Sequence, residues 1–348
     1  MIEYKVNENT KIKYCNRIFE VEDKSTGNIF WYKSQLEIDD VFNPDNFEIY
    51  FLYNSNGRIS ENSIYKIYAD DTRIGWIFPI QSLESKEHDY ARNQFYLKYA
   101  YIALYKLLQM ISFTNEEYSD FSILDYFPDN IQLLLYDVSN TKSIEDFDIS
   151  KYTVSLFYNG YSYNGQGNVF TESEELDKNI KIKQLPVPIR NISYINVLFK
   201  ELIPLHETSY SKFHLLYQII EILIGVVFNY KIQELIHEIA GSANDLFDKR
   251  EKLSDITTEK SRVVWLFNDF SRIEAQKLNI LNELCIDLLK KNGKKINPEK
   301  TANNLYNVRC LIVHNLYSLD EDSRNLLEEL NNSFLDVIFD ILFTFKSS

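Results

Sequence analysis

The 348-residue chain is 45% hydrophobic and 15% aromatic, contains only 9 glycines and 7 prolines, and carries a net charge of −14. This apolar content excludes a disordered chain, and the length predicts two domains of ordinary size. The negative charge argues against non-specific attachment to long nucleic acids, because such attachment depends on Lys and Arg side chains that displace counterions from phosphates.

The first half of the chain combines strand patterns with one long helix pattern. Short runs rich in β-branched and aromatic residues, separated by Asn, Gly, Asp and Pro, predict strands. Residues 91–111 keep apolar side chains three and four positions apart, which predicts a helix of about five turns. The predicted strands lie at 12–23, 28–38, 47–54, 74–80, 131–138 and 152–165. We therefore expect an α+β domain over residues 1–195.

The second half has long helix patterns and hardly any strand pattern, so residues 196–348 are expected to form an all-α helical bundle of about five helices. Asn297 and Pro298 match a helix N-cap followed by proline at the first helical position. Ser318 and Glu321 match a capping box at the start of the last helix. The predicted helices lie at 209–240, 257–270, 273–293, 298–317 and from 318 to the end.

The chain lacks the patterns of a metal centre, a disulfide framework or a membrane protein. Its three cysteines are widely spaced and form no CxxC pair. Residues 1–14 lack the apolar core of a signal peptide, and the longest apolar stretch, 215–228, is short for a membrane span and contains Glu221. We expect a cytoplasmic protein that needs no metal, cofactor or membrane.

The predicted helix 298–317 has two distinct faces. At 100° per residue, Leu305, Val308, Ile312 and Leu316 form a narrow apolar stripe, and Arg309 lies about 55° from its centre. A guanidinium group keeps its charge, so this placement predicts a carboxylate or phosphate partner. The opposite side collects Asn303, Asn307, Cys310, His314 and Tyr317. A helix with two used faces predicts a second surface, such as that of a partner subunit.

The segment from Arg309 to His314 resembles the motif of the HEPN superfamily, in which an Arg is followed by four to six residues and a His. The motif lies on the penultimate predicted helix of the bundle, where that family carries it. Glu221, in an apolar stretch of an earlier helix, is similar to the acidic residue that supports the pair in many members. The resemblance covers residues 196–348 and does not extend to the first half of the chain.

This resemblance implies metal-independent cleavage of RNA in a cleft shared by the HEPN domains of a homodimer. His314 is then the proton-transfer group, Arg309 the phosphate clamp and Glu221 the residue that orients Arg309. On an ideal helix Arg309 and His314 are about 140° apart, so one chain does not point them together. The resemblance also implies a toxin or anti-phage defence effector that acts by abortive infection, with residues 1–195 responding to a trigger or regulatory partner.

RNA contacts are expected in the second half of the chain, because its net charge is less negative. Residues 196–348 have 22 acidic and 18 basic residues, whereas residues 1–195 have 29 acidic and 19 basic residues. The expected substrate-binding residues are Asn307, Asn315, Tyr317, Lys294 and Lys295. HEPN toxins that are silenced by AMP transfer often have Tyr two residues after the His. That position is Leu316 here, so the resemblance does not predict this form of control.

Each of these residues has a structural alternative. His314 also fits a surface histidine that interacts favourably with the end of its helix dipole. Arg309 and Glu221 fit a structural salt bridge, and the basic run 290–300 fits a solvated loop. For the whole chain, one alternative is a non-catalytic HEPN module for dimerisation or ligand binding that serves a partner protein. Another is an enzyme with its site in the first domain, where no phosphate loop, nucleophile elbow or metal cluster pattern occurs.

Overall fold

The computed structural model describes residues 10–54, 60–112, 121–164, 179–206, 208–241, 246–298, 300–315 and 319–346. The chain divides into two compact units, residues 1–183 and 184–348. The division therefore precedes the expected boundary near Ile195. The reason is that the segment just before and after Ile195 is helical and buries apolar side chains such as Phe199, whose ring lies 5.8 Å from that of Phe339 in the last helix.

The described part of the first unit contains nine strands in two sheets. The smaller sheet has the order β1-β2-β3 and is antiparallel. The larger sheet has the order β8-β4-β7-β6-β5-β9, in which β5 and β9 pair in parallel and the other neighbours are antiparallel. The strands are β1 Thr10–Cys15, β2 Ile18–Asp23, β3 Ile29–Lys33, β4 Phe47–Asn54, β5 Tyr65–Ala69, β6 Thr72–Pro79, β7 Ile131–Asp137, β8 Tyr161–Ser162 and β9 Asn179–Ile182.

Local sequence explains the main features of these sheets. Asn16 and Arg17 have φ of 50° and 66°, as a tight hairpin turn between β1 and β2 requires. Every residue of β7 is buried, which fits a strand in the middle of a sheet. Gly75 lies where a Cβ atom would be 1.9 Å from the Leu135 carbonyl oxygen, so only glycine allows β6 to approach β7 this closely.

Three helices complete the described part of the first unit. Helix α1, Gln94–Met110, is capped by Asn93, whose side chain accepts hydrogen bonds from the next helical N–H groups, and it packs on strands of both sheets. The other two are α2 Val138–Thr141 and α3 Thr153–Tyr158. Short 3-10 turns occur at Pro44–Asn46, Ile80–Leu83, Ile123–Asp125 and Ile149–Tyr152.

The strand predicted at 152–165 is wrong over most of its described length, because the chain forms α3 there and only the short β8 after it. A short apolar run fits a buried helix as well as a buried strand, and here the five residues Thr153 to Phe157 are all buried. Strands β5 and β9 were not predicted individually. Strand β9 lies in a polar stretch and pairs along its edge with β5.

All regular secondary structure in the described residues of the second unit is helical. Short helices come first: α4 Val187–Arg190, α5 Ser193–Val197, a π-helical turn Leu198–Leu202 and α6 Ile203–Leu205. Six longer helices follow: α7 Ser209–Gly241, α8 Leu246–Thr257, α9 Glu259–Asn268, α10 Ala275–Lys291, α11 Thr301–Asn315 and α12 Glu321–Thr344. Helix α7 packs on α8, α9 and α12, and α11 packs on α9 and α10. This arrangement confirms a β-rich first part and a helical second part.

Two predicted helix starts are wrong. Helix α11 begins at Thr301 rather than Pro298, because Asn297 is held in the preceding loop by hydrogen bonds to the side chain of Asn304. Helix α12 begins at Glu321 with Asp320 as its cap, and the Asp320 carboxylate accepts from the backbone N–H of Ser323 at 2.8 Å. Ser318, the expected cap, lies outside the described residues.

Helix α7 is long and apolar enough to span a membrane by length and composition alone, and no other helix of the described residues is. Of its most apolar window, 44% is buried within the protein. A core helix of a globular domain has the same properties, so the length of α7 assigns no membrane to this chain.

Candidate functional site

Helix α11 carries most of the candidate residues and presents its two faces as the periodicity predicts. Leu305, Val308 and Ile312 are buried in the helical unit at 1% exposure or less. Burial of this stripe fixes the rotation of α11, and so fixes the directions in which Arg309 and His314 leave the helix. Leu316 and Tyr317 lie outside the described residues.

On one side of α11, Arg309 faces helix α7. Its Nη2 atom lies 3.4 Å from Oε1 of Glu221, and its guanidinium carbon lies 5.8 Å from the ring centre of Tyr217. Tyr217 precedes Glu221 by one helical turn, so both reach the same arginine. The Tyr217 hydroxyl donates to Oε1 of Glu259, at the start of α9, at 3.1 Å. We call these four residues the arginine cluster.

The carboxylates of the arginine cluster stabilise the positive charge of Arg309. Partial burial acts to lower the pKa of Arg309, but Glu259 and Glu221 outweigh it and the pKa is raised above its ordinary value. The Glu221 side chain is 46% exposed. Glu221 is therefore a surface acid at the edge of α7, and the apolar residues around it in sequence point to other sides of the helix.

On the other side of α11, asparagines hold the loop that follows α10. Asn304 is fully buried, accepts from the Asn297 N–H at 2.8 Å, and donates to the Asn297 carbonyl at 2.6 Å and to Asn282 Oδ1 at 2.9 Å. One turn later, Asn307 donates to the Lys295 carbonyl at 3.1 Å. These bonds fix the loop between α10 and α11, which carries Lys294 and Lys295, against α11.

The loop, α11 and the first turn of α9 enclose a cleft of about 400 Å³, which we call the lysine cleft. The exposed His314 is at one side of it, and the Lys294 ammonium donates to Asn315 Oδ1 at 3.1 Å. No acidic side chain is among the described residues that line the cleft. The lining consists of Lys260, Lys294, Lys295, Ile296, Asn297, Asn303, Asn307, Cys310, Leu311, His314 and Asn315.

The structure thus gathers five of the predicted site residues in one cleft and leaves two elsewhere. The gathered residues are His314, Asn307, Asn315, Lys294 and Lys295. Arg309 and Glu221 do not line the cleft, as the angle between Arg309 and His314 on the helix implied. Tyr317 lies outside the described residues.

Sequence reasoning missed Lys260 and two members of the arginine cluster, Tyr217 and Glu259. Lys260 and Glu259 reach α11 only because α9 packs on it, and no spacing within the sequence signals that contact. The spacing of Tyr217 and Glu221, four residues apart on one helix, was a usable signal.

Among the described residues, no group of three or more His, Cys, Asp or Glu side chains is placed to hold a metal ion. Comparison of the chain with protein families, curated proteins and solved structures finds no matching family model, no matching curated protein and no matching structure.

Proposed function

We propose that this protein is a HEPN-type endoribonuclease that cleaves RNA without a metal ion, at a site shared by two copies of the chain. The observation that carries the proposal is the lysine cleft. It brings His314 together with three lysines, and no acidic side chain is among the described residues that line it. RNA is a polyanion, so this cleft suits its backbone, although the protein as a whole is acidic. A toxin or defence role would follow from such an activity.

In the proposed reaction the RNA supplies its own nucleophile. His314 takes the proton of a 2′-hydroxyl, the 2′-oxygen bonds to the adjacent phosphorus, and the bond from phosphorus to the 5′-oxygen breaks. The 5′-oxygen takes a proton from water, and His314 returns its proton to solvent. The products carry a 2′,3′-cyclic phosphate and a 5′-hydroxyl. Arg309 stabilises the charge that develops on the phosphorane.

A second copy is required because Arg309 of the same chain lies on the other side of α11 from the cleft. Two α11 helices that meet in a symmetric dimer can bring Arg309 of one copy to His314 of the other. The arginine cluster would then hold Arg309 in a fixed direction before the RNA arrives, which lowers the cost of organising the site.

The direct test incubates purified full-length protein with labelled single-stranded RNA in the presence of a chelator. We expect His314→Ala and Arg309→Ala each to lower cleavage by a factor of about 10² to 10⁴, the usual contribution of a proton-transfer group, and the helical circular dichroism to be unchanged. His237→Ala is the matched control, because His237 is an exposed histidine on α7 that does not line the cleft.

The competing interpretation is a HEPN module that binds a partner or ligand without catalysis. Its supporting observation is that Arg309 already has an ion pair and an aromatic ring to contact, which suffices for a structural role. Absence of cleavage would favour this interpretation, and cleavage that requires a divalent metal or persists in both variants at the wild-type rate would place the chemistry outside the bundle.

A further inference from the structure

The cations on the two sides of α11 differ in whether they have a carboxylate partner. Arg309 has the carboxylate of Glu221 at 3.4 Å, and Glu259, bonded to Tyr217, belongs to the same cluster. Lys260, Lys294 and Lys295 have no ion pair with a described carboxylate, and no acid lines their cleft. A cation without a carboxylate is the better ligand for a further anion, because no internal pair has to be broken.

The lysines are also held together by the fold rather than by chance proximity. The Asn304 and Asn307 side chains bond to the backbone at Asn297 and Lys295, which fixes the loop that carries two of the lysines. Lys260 is added from the first turn of α9, which packs on α11. Three cations from two separate segments of the chain therefore converge on one cleft beside His314.

We propose that the lysine cleft is the site that binds the phosphodiester backbone of single-stranded RNA, with Lys260, Lys294 and Lys295 as its cations, and that Arg309 contributes nothing to this binding. The inference rests on the proposed function, and it assigns RNA binding and RNA cleavage to different residues. The lysines bind the RNA in its ground state, and Arg309 acts only on the transition state, so the first group sets affinity and the second sets rate.

The cleft favours a single strand over a duplex. Its volume of about 400 Å³ is in the range of pockets that enclose one small ligand, and so suits a nucleotide or two of an extended strand. The amide side chains of Asn303, Asn307 and Asn315 line it and can hydrogen-bond to bases or riboses of an unpaired strand.

The test separates binding from cleavage. Binding is measured by fluorescence anisotropy with a labelled single-stranded RNA of mixed sequence whose riboses are 2′-O-methylated, so that it cannot be cut. We expect Lys260→Gln, Lys294→Gln and Lys295→Gln each to raise Kd by up to about five-fold, the effect of one exposed ion pair. The triple variant should bind weakly, and each lost phosphate contact should reduce the slope of log affinity against log salt by about 0.7.

Two variants serve as controls. Lys346→Gln should bind as the wild type does, because Lys346 is an exposed lysine far along α9 from Lys260. Its backbone N–H donates to the carbonyl of Phe270, which follows the C-terminal end of α9, whereas Lys260 lies at the N-terminal end. Arg309→Ala should keep the wild-type Kd to within about two-fold and lose cleavage of unmodified RNA. A triple variant with wild-type affinity, an Arg309→Ala variant that binds as poorly as the triple variant, or equal affinity for duplex RNA would each overturn the inference.

The outcomes also separate the inference from the proposed function. If the wild type cleaves RNA and the triple variant binds normally, the inference fails and the proposed function stands. If binding depends on the lysines and no cleavage occurs, the site is correct and the ribonuclease is not. If the wild type neither binds nor cleaves RNA, both fail.

Discussion

At the scale of single residues, Arg309 is held by partners of two kinds. Glu221 supplies a charge at 3.4 Å and Tyr217 an aromatic face at 5.8 Å. The Arg309 side chain is 25% exposed and that of Glu221 46%, so solvent screens the ion pair and its contribution to stability is small. The arrangement fits the fixing of a direction better than the support of the fold.

The first prediction at this scale concerns Glu221→Gln. Since the ion pair is partly exposed, we expect the free energy of unfolding to fall by less than about 1 kcal/mol, and RNA cleavage to fall much further because Arg309 loses its fixed direction. Thermal and urea unfolding measure the first effect, and single-turnover cleavage measures the second.

The matched control for Glu221→Gln is Glu234→Gln. Glu234 lies on the same helix, is equally exposed at 46%, and pairs with Lys231 at 2.9 Å outside the candidate site. It should show the same small loss of stability with unchanged cleavage. A loss of several kcal/mol in Glu221→Gln alone would instead assign Glu221 a structural role.

At the scale of elements, the loop between α10 and α11 depends on one buried side chain. Asn304 makes three hydrogen bonds to Asn297 and Asn282, and it is fully buried. Asn282 in turn donates to the Pro298 carbonyl at 2.9 Å. The positions of Lys294 and Lys295 therefore follow from helix packing, through amide groups that bear no charge.

We expect Asn304→Ala to lower the free energy of unfolding by about 1–3 kcal/mol, because it removes the hydrogen bonds of a fully buried side chain and leaves half-buried polar groups of Asn297 and Asn282 without these partners. It should also weaken RNA binding, since the loop is released. Urea denaturation and anisotropy measure the two effects.

Asn307→Ala gives the comparison for stability. Asn307 lies one turn along the same helix, is half-buried and makes a single hydrogen bond to Lys295, so its loss should cost less. Equal stability of the two variants would contradict the role given to Asn304.

At the scale of the whole molecule, the proposed site needs two chains. We expect a homodimer at micromolar concentration by sedimentation or light scattering. Mixing His314→Ala with Arg309→Ala protein should restore cleavage, because a heterodimer keeps one site with both groups. Random exchange of equal amounts predicts on the order of a quarter of the wild-type rate. A strict monomer, or a mixture as inactive as its components, would refute the shared site.

The sequence predicted those parts of the molecule that depend on local periodicity. Strand β4 and helix α7 lie where their patterns indicate, and the two faces of α11 follow from 100° per residue. Other features arise from contacts between distant segments. The start of α11 shifted because Asn304 binds Asn297, and Lys260 joined the cleft because α9 packs on α11. Such contacts cannot be predicted from the residue pattern within one segment.

The lysine cleft also lies in a chain whose net charge is −14, and this contrast affects how RNA would arrive. A polyanion at a distance meets the repulsion of the whole protein, whereas the attraction of three lysines acts within a Debye length of about 8 Å at physiological ionic strength. Added salt therefore speeds the encounter by screening the repulsion, while it weakens the complex once formed. This repulsion is strongest for long, densely charged nucleic acids and weakest for a short unpaired segment that exposes few phosphates.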